Sequence, residues 1–90
     1  MKKIMTVTEV DGEGLVALLG KPVLVFCMNY IYTGVLAGVN QTCILLEKAS
    51  VVYATGAYDK TSFDDAQKLP HNLYIQVSSI ESFSETNKSA

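Results

Sequence analysis

Residues 21–46 read KPVLVFCMNYIYTGVLAGVNQTCILL, from Lys21 to Leu46. This stretch decides the fold, because it holds three strand-prone runs joined by two short polar turns. Val23, Val25 and Cys27 alternate with Leu24 and Phe26, so the first run can turn one face inward. Asn29 tolerates the left-handed conformation that a tight hairpin demands. The second run, Tyr30 to Val39, is rich in aromatic and β-branched residues, with Gly34 and Gly38 inside it. Glycine inside a strand marks a sharp bend or a close backbone approach. Asn40-Gln41 makes the next turn and Thr42 to Leu46 is the third run. Three short, bent, antiparallel strands begin a small barrel.

Working outward, Leu15, Leu18 and Leu19 stand at helical spacing. Asp11 or the glycines beside it can cap a start, and Gly20 suits an end. The pattern predicts one short helix, with Pro22 opening the strand after it. Residues 1–11 alternate weakly and read as an extra strand or arm. Beyond Leu46, the third strand can run on through Val51-Val52-Tyr53 with a bulge near Ala49-Ser50. The stretch 56–70 is polar and reads as a loop excursion, either a protruding hairpin or a mobile segment. Leu73 to Val77 reads as a fourth strand and Ile80 to Phe83 as a fifth. The tail from Ser84 to Ala90 is polar and is expected to fray.

Ninety residues make one domain, 1–90, with a single modest core. The hydrophobic share is 49% against 18% charged. For so small a chain, that apolar surface is expected to be covered partly by another subunit. A net charge of −2 with no basic block does not advertise nucleic acid, though a local patch remains open. The longest apolar run falls well short of the ~20 residues of a membrane span. Thr6, Thr8, Glu9 and Asp11 interrupt what would be a signal-peptide core after Lys2-Lys3. The reading is therefore a cytoplasmic protein with no membrane partner.

Chemistry-bearing motifs are sparse. Cys27 and Cys43 fall in strand patterns and read as reduced core thiols, because no C-x-x-C spacing accompanies them. Asp59, Asp64 and Asp65 fit no cation-binding loop and read as a solvated acidic segment. His71 lies beside Pro70 with no partner motif. The tyrosines Tyr30, Tyr32, Tyr53, Tyr58 and Tyr74 are candidate stacking surfaces, or barrel and interface residues. No nucleophile–base pair, phosphate loop or metal cluster is apparent, so neither catalysis nor a cofactor is expected.

A short helix followed by five bent strands, with an excursion before the fourth, resembles the Sm-like family, which includes the LSm proteins and bacterial Hfq. The resemblance runs from Leu15 to Phe83. Leu18-Leu19-Gly20-Lys21-Pro22-Val23 looks like the family's helix exit and first strand. Asn29 to Leu36 matches its turn followed by aromatic-x-Gly-x-Leu. Val39-Asn40-Gln41-Thr42-Cys43-Ile44-Leu45-Leu46 is similar to the Phe-Asp-Gln-Phe-Val-Ile-Leu-Leu of Hfq. Ile75-Gln76-Val77-Ser78-Ser79-Ile80 falls where Sm proteins carry Ile-Arg-Gly-x-x-Ile.

The resemblance implies a mostly β fold, an SH3-type five-stranded antiparallel barrel. It implies a cyclic homo-oligomer of about five to seven subunits, in which strand edges close on one another. Leu73, Tyr74, Ile75, Ile80 and Phe83 are then the interface residues. It also implies single-stranded RNA at the pore, contacted by Asn40, Gln41, Thr42 and Gln76. Three positions depart from the family: Thr42 has no stacking ring, Gln76 has no cation, and Ile44 replaces a polar reader. Three readings follow: an RNA-binding ring, a ring that serves as a scaffold without RNA, and an unrelated SH3-like barrel that binds a peptide.

Overall fold

The computed structural model describes residues 14–57 and 61–88, and the predicted arm at 1–11 lies outside them. The described chain forms six strands: β1 (Pro22–Cys27), β2 (Ile31–Val39), β3 (Cys43–Ala54), β4 (Asp65–Lys68), β5 (Leu73–Gln76) and β6 (Ile80–Glu85). All pairings are antiparallel. The sheet order is β4-β3-β2-β1-β6, with β5 also on β3, so the sheet is open. The expected α-helix is a single 3₁₀ turn, Leu15–Leu18, with no side-chain cap at its start. Four residues flanked by Gly14 and Gly20, both at positive φ, are too few to propagate an α-helix.

β3 is twelve residues long and bends in its middle. Its pairing with β2 slips between Thr33↔Ser50 and Val35↔Glu47, which makes a bulge around Lys48 and Ala49. Lys48 carries φ +52° there. It is the only described residue other than glycine at positive φ, so Asn29 does not take the left-handed conformation expected of it. Gly34 lies opposite the bulge. A Cβ on it would sit 2.8 Å from the Glu47 carbonyl oxygen and 3.2 Å from the Ala49 Cα. The backbones cross at a distance only glycine permits.

The bend gives β3 two halves with different partners. Residues 50–54 pair with β4 and residues 43–46 with β5. Between them the Leu69 N–H donates to the Ala49 carbonyl (2.8 Å), so β4 and β5 follow β3 as one interrupted run. Pro70 lacks the N–H that a continuing ladder needs, and pairing resumes only at Leu73. This raises the strand number from the expected five to six. Strand β4 lies inside the stretch expected to be a loop excursion.

The main core is Val23, Val25, Leu36, Ile44, Leu46, Ala49 and Ile75, with Leu15, Leu18, Leu73 and Ile80 packed against it. A second cluster, Leu24, Val52 and Phe63, covers the other face of β1 and β3. β1 is therefore buried on both faces, where the alternation predicted one. The tail does not fray from Ser84: Ser84 and Glu85 belong to β6, the Thr86 N–H donates to the Pro22 carbonyl (3.0 Å), and Lys88 is buried.

Besides Lys88, two polar side chains are buried among the described residues, Thr33 and Ser50. The Thr33 hydroxyl donates to the Val23 carbonyl (2.9 Å). The Ser50 hydroxyl is fully buried and has no hydrogen-bond partner among the described residues.

Gly34→Ala should lower stability by about 1–3 kcal/mol, because the added carbon meets backbone that cannot yield without moving the bulge. Urea unfolding checks this, and an unchanged midpoint would mean that the crossing is looser than described. Ser50→Ala removes an unsatisfied buried hydroxyl and should be neutral or stabilising by about 1 kcal/mol in the same assay.

Candidate nucleic-acid interface

Asn40 closes the turn between β2 and β3 with its side chain. Its Oδ1 accepts from the Thr42 N–H (2.8 Å), the Cys43 N–H (2.9 Å) and the Thr42 hydroxyl (3.0 Å). The Asn40 N–H donates to the Cys43 carbonyl (3.0 Å). The carboxamide oxygen is thus committed to the turn, as asparagine commonly is at such positions. Gln41 and Thr42 are left exposed at the tip.

The second turn, between β5 and β6, is a 3₁₀ turn at Val77–Ser79. The Val77 N–H donates to the Thr42 carbonyl (2.8 Å), and Cys43 pairs with Gln76 across the ladder. These contacts hold the two turns side by side. Gln41, Thr42, Cys43, Tyr74, Gln76, Val77 and Ser78 line one concavity of about 810 Å³. Of the four residues expected at an RNA site, Gln41, Thr42 and Gln76 are brought together, while Asn40 stands behind them as the residue that shapes the turn. Ile44 is fully buried in the core.

A second cleft, of about 500 Å³, opens on the other side of Tyr74. It lies between the β1–β2 turn, with Met28, Asn29 and Tyr30, and the facing segment with Gln76, Ser79 and Glu81. Tyr30 and Tyr32 form a tilted ring pair with centroids 6.1 Å apart. Tyr74 is 69% exposed and lines both concavities. Among the described residues the two together contain one charged lining residue, Glu81, and no cation.

The expected interface residues divide by face. Leu73 and Ile80 are half-buried against the core and Ile75 is buried within it, whereas Tyr74 and Phe83 are exposed. β5 pairs with β3 alone and β6 with β1 alone among the described residues, so each has one free edge. Every residue of β6 after Ile80 is exposed.

The remaining candidates do not converge. Asp64, Asp65 and His71 are exposed, and Tyr58 and Asp59 lie outside the described residues. No group of three metal-binding side chains occurs among the described residues. No helix in them is long and apolar enough to cross a membrane. Both cysteines are free thiols. The Cys27 thiol is pushed up from its ordinary range by burial and then by the negative charge of Glu81. Burial also raises the Tyr32 phenol, with smaller contributions from Cys27 and Tyr30.

No protein-family model matches this chain, and no curated protein matches it significantly.

The raised thiol and phenol fix the sign of an alkaline effect. Each group holds its proton more tightly in the folded chain than in the unfolded one. Folding stability is therefore unaffected below the unfolded-state values, 9.0 for the thiol and 10.0 for the phenol, and falls as pH rises past them. Unfolding free energy measured from pH 8 to 11 should decline, and Cys27→Ala should remove the part of the decline that begins first. A flat profile in the wild-type chain would contradict the burial of both groups.

Proposed function

We propose that this chain is an Sm-like subunit whose barrel closes in a homo-oligomeric ring and contacts single-stranded RNA at the paired turns. The observation that carries the reading is the Val77–Thr42 hydrogen bond. It sets the exposed amides of Gln41 and Gln76 beside each other and beside an exposed tyrosine ring. Amides that read base edges next to a face for stacking are the usual equipment for unpaired RNA. Tyr74 offers the ring that Thr42 lacks. The free edges of β5 and β6 support assembly, since pairing the first with the second of a neighbouring copy removes both.

A specific observation favours the scaffold reading as the second choice. Among the described residues no lysine, arginine or histidine lines either concavity, and Glu81 adds negative charge. Phosphate neutralisation therefore contributes little, and any RNA affinity must come from stacking, amides and repetition around a ring.

Light scattering tests assembly, and titration of fluorescent U-rich and A-rich oligonucleotides tests binding. A cyclic oligomer of about five to seven copies is expected. Binding should be micromolar or weaker with a shallow salt slope. Tyr74→Ala should weaken it by about 1–3 kcal/mol, the worth of one stacked base, and Gln41→Ala should weaken it too. A stable monomer at micromolar concentration overturns the ring. An oligomer that binds no oligonucleotide leaves the scaffold reading in its place.

A further inference from the structure

The C-terminal end of the described chain makes an anchored contact that the paired turns do not use. Lys88 is 7% exposed although it is the third residue beyond β6. Its ammonium donates to the Thr55 carbonyl (2.6 Å) and the Ala57 carbonyl (2.6 Å), both more than thirty residues earlier. It also lies 5.5 Å from the centre of the Phe63 ring. The chain that delivers it is tied to β1 where the Thr86 N–H bonds the Pro22 carbonyl, and it turns locally where the Lys88 N–H bonds the Thr86 hydroxyl (3.1 Å).

What these bonds close over is the second hydrophobic cluster. Phe63 reaches Leu24 and Val52 from a segment that also joins the sheet through the four residues of β4. A short edge strand with few buried side chains opens at low free energy compared with the central strands. Charged-group hydrogen bonds are the strong ones, and here two of them converge on one amine. Cation and ring attraction adds to them at a partly desolvated site.

We propose that residues 86–88 are a releasable strap, fastened by Lys88, that locks residues 61–68 and their Phe63 onto the outer face of β1 and β3, and that acylation of Lys88 traps the strap open. The strap does not rest on the ring or RNA reading, because its contacts with Pro22, Thr55, Ala57 and Phe63 are made within one chain. In the open state, the freed amine attacks the carbonyl carbon of an activated acyl donor, such as a thioester or an N-hydroxysuccinimide ester. The N–C bond forms, the acyl–leaving-group bond breaks, and the amine proton passes to solvent or to the leaving group. The product amide has lost its charge and all but one N–H, so it can no longer bond both carbonyls.

Hydrogen exchange on the full chain tests this. In the wild type, amides of 61–68 should exchange through a partial opening with weak urea dependence, at least tenfold faster than the amides of β1 and β2 that need global unfolding. Acetylation by an N-hydroxysuccinimide ester should modify Lys88 more slowly than the exposed Lys21, Lys48 and Lys68, at a rate that follows opening of 61–68. Lys88→Gln should accelerate exchange at 61–68 by a further tenfold or more with β1 and β2 unchanged, and Lys88→Arg should restore most of the protection. Exchange of 61–68 only with global unfolding, or Lys88 labelling as fast as the exposed lysines, overturns the proposal. So does equal acceleration in every strand of Lys88→Gln, and because the wild-type measurements stand alone, a variant that fails to fold leaves them to decide.

Discussion

The close crossing of β2 and β3 at Gly34 is the constraint on which the rest depends. A carbon at that position would lie 2.8 Å from the Glu47 carbonyl oxygen, so the approach exists only because the side chain is a hydrogen. The bulge at Lys48 and Ala49 follows from it, because β3 must take up extra chain where the strands cross. Once β3 is bent, its two halves face different directions. One half receives β5, and with it the turn carrying Gln76. The other receives β4, and with it Phe63. The paired turns and the second hydrophobic cluster are thus opposite consequences of one glycine.

Between these ends the energetics differ. The main core holds seven buried residues from four strands, drawn from both sides of the bend. Burial of that kind stabilises through area removed from water, and opening it requires global unfolding. The outer cluster has three residues, and polar contacts fasten it: two carbonyls on one ammonium, and a strap tied to Pro22. Polar fasteners on a small apolar patch suit a region that opens separately. The exposed Lys21–Glu85 ion pair at 3.9 Å adds little where β6 leaves β1.

The concavities beside Tyr74 have an unusual balance. Their described lining offers rings, amides and hydroxyls, and a single negative charge. Such a surface discriminates by shape, stacking and edge hydrogen bonds, and it draws no charged ligand from a distance. That separates it from nucleic-acid surfaces that rely on phosphate contacts.

Local pattern was enough to read the three central strands, the role of Gly34 as a close approach, the run of β3 past Ser50, and the short strands at Leu73 and Ile80. These rest on alternation, β-branched content and turn residues, which act within a few positions of one another. The turn role of Asn40 was legible for the same reason, since its side chain bonds its own neighbours. Other features required the folded chain. Nothing near Phe63 or Lys88 in sequence marks them as buried, because their partners Leu24, Val52, Thr55 and Ala57 come from distant strands and a loop. Leu24 looked like the outer face of an amphipathic strand, but in the fold it is buried with Phe63 and Val52. Gln76 and Gln41 became neighbours only through the Val77–Thr42 bond and the β3–β5 register. The sequence by itself determined which segments extend and where they turn, because steric and hydrogen-bonding preferences are local. The tertiary structure alone decided which faces are covered and which turns meet, because those depend on contacts between residues far apart in the chain.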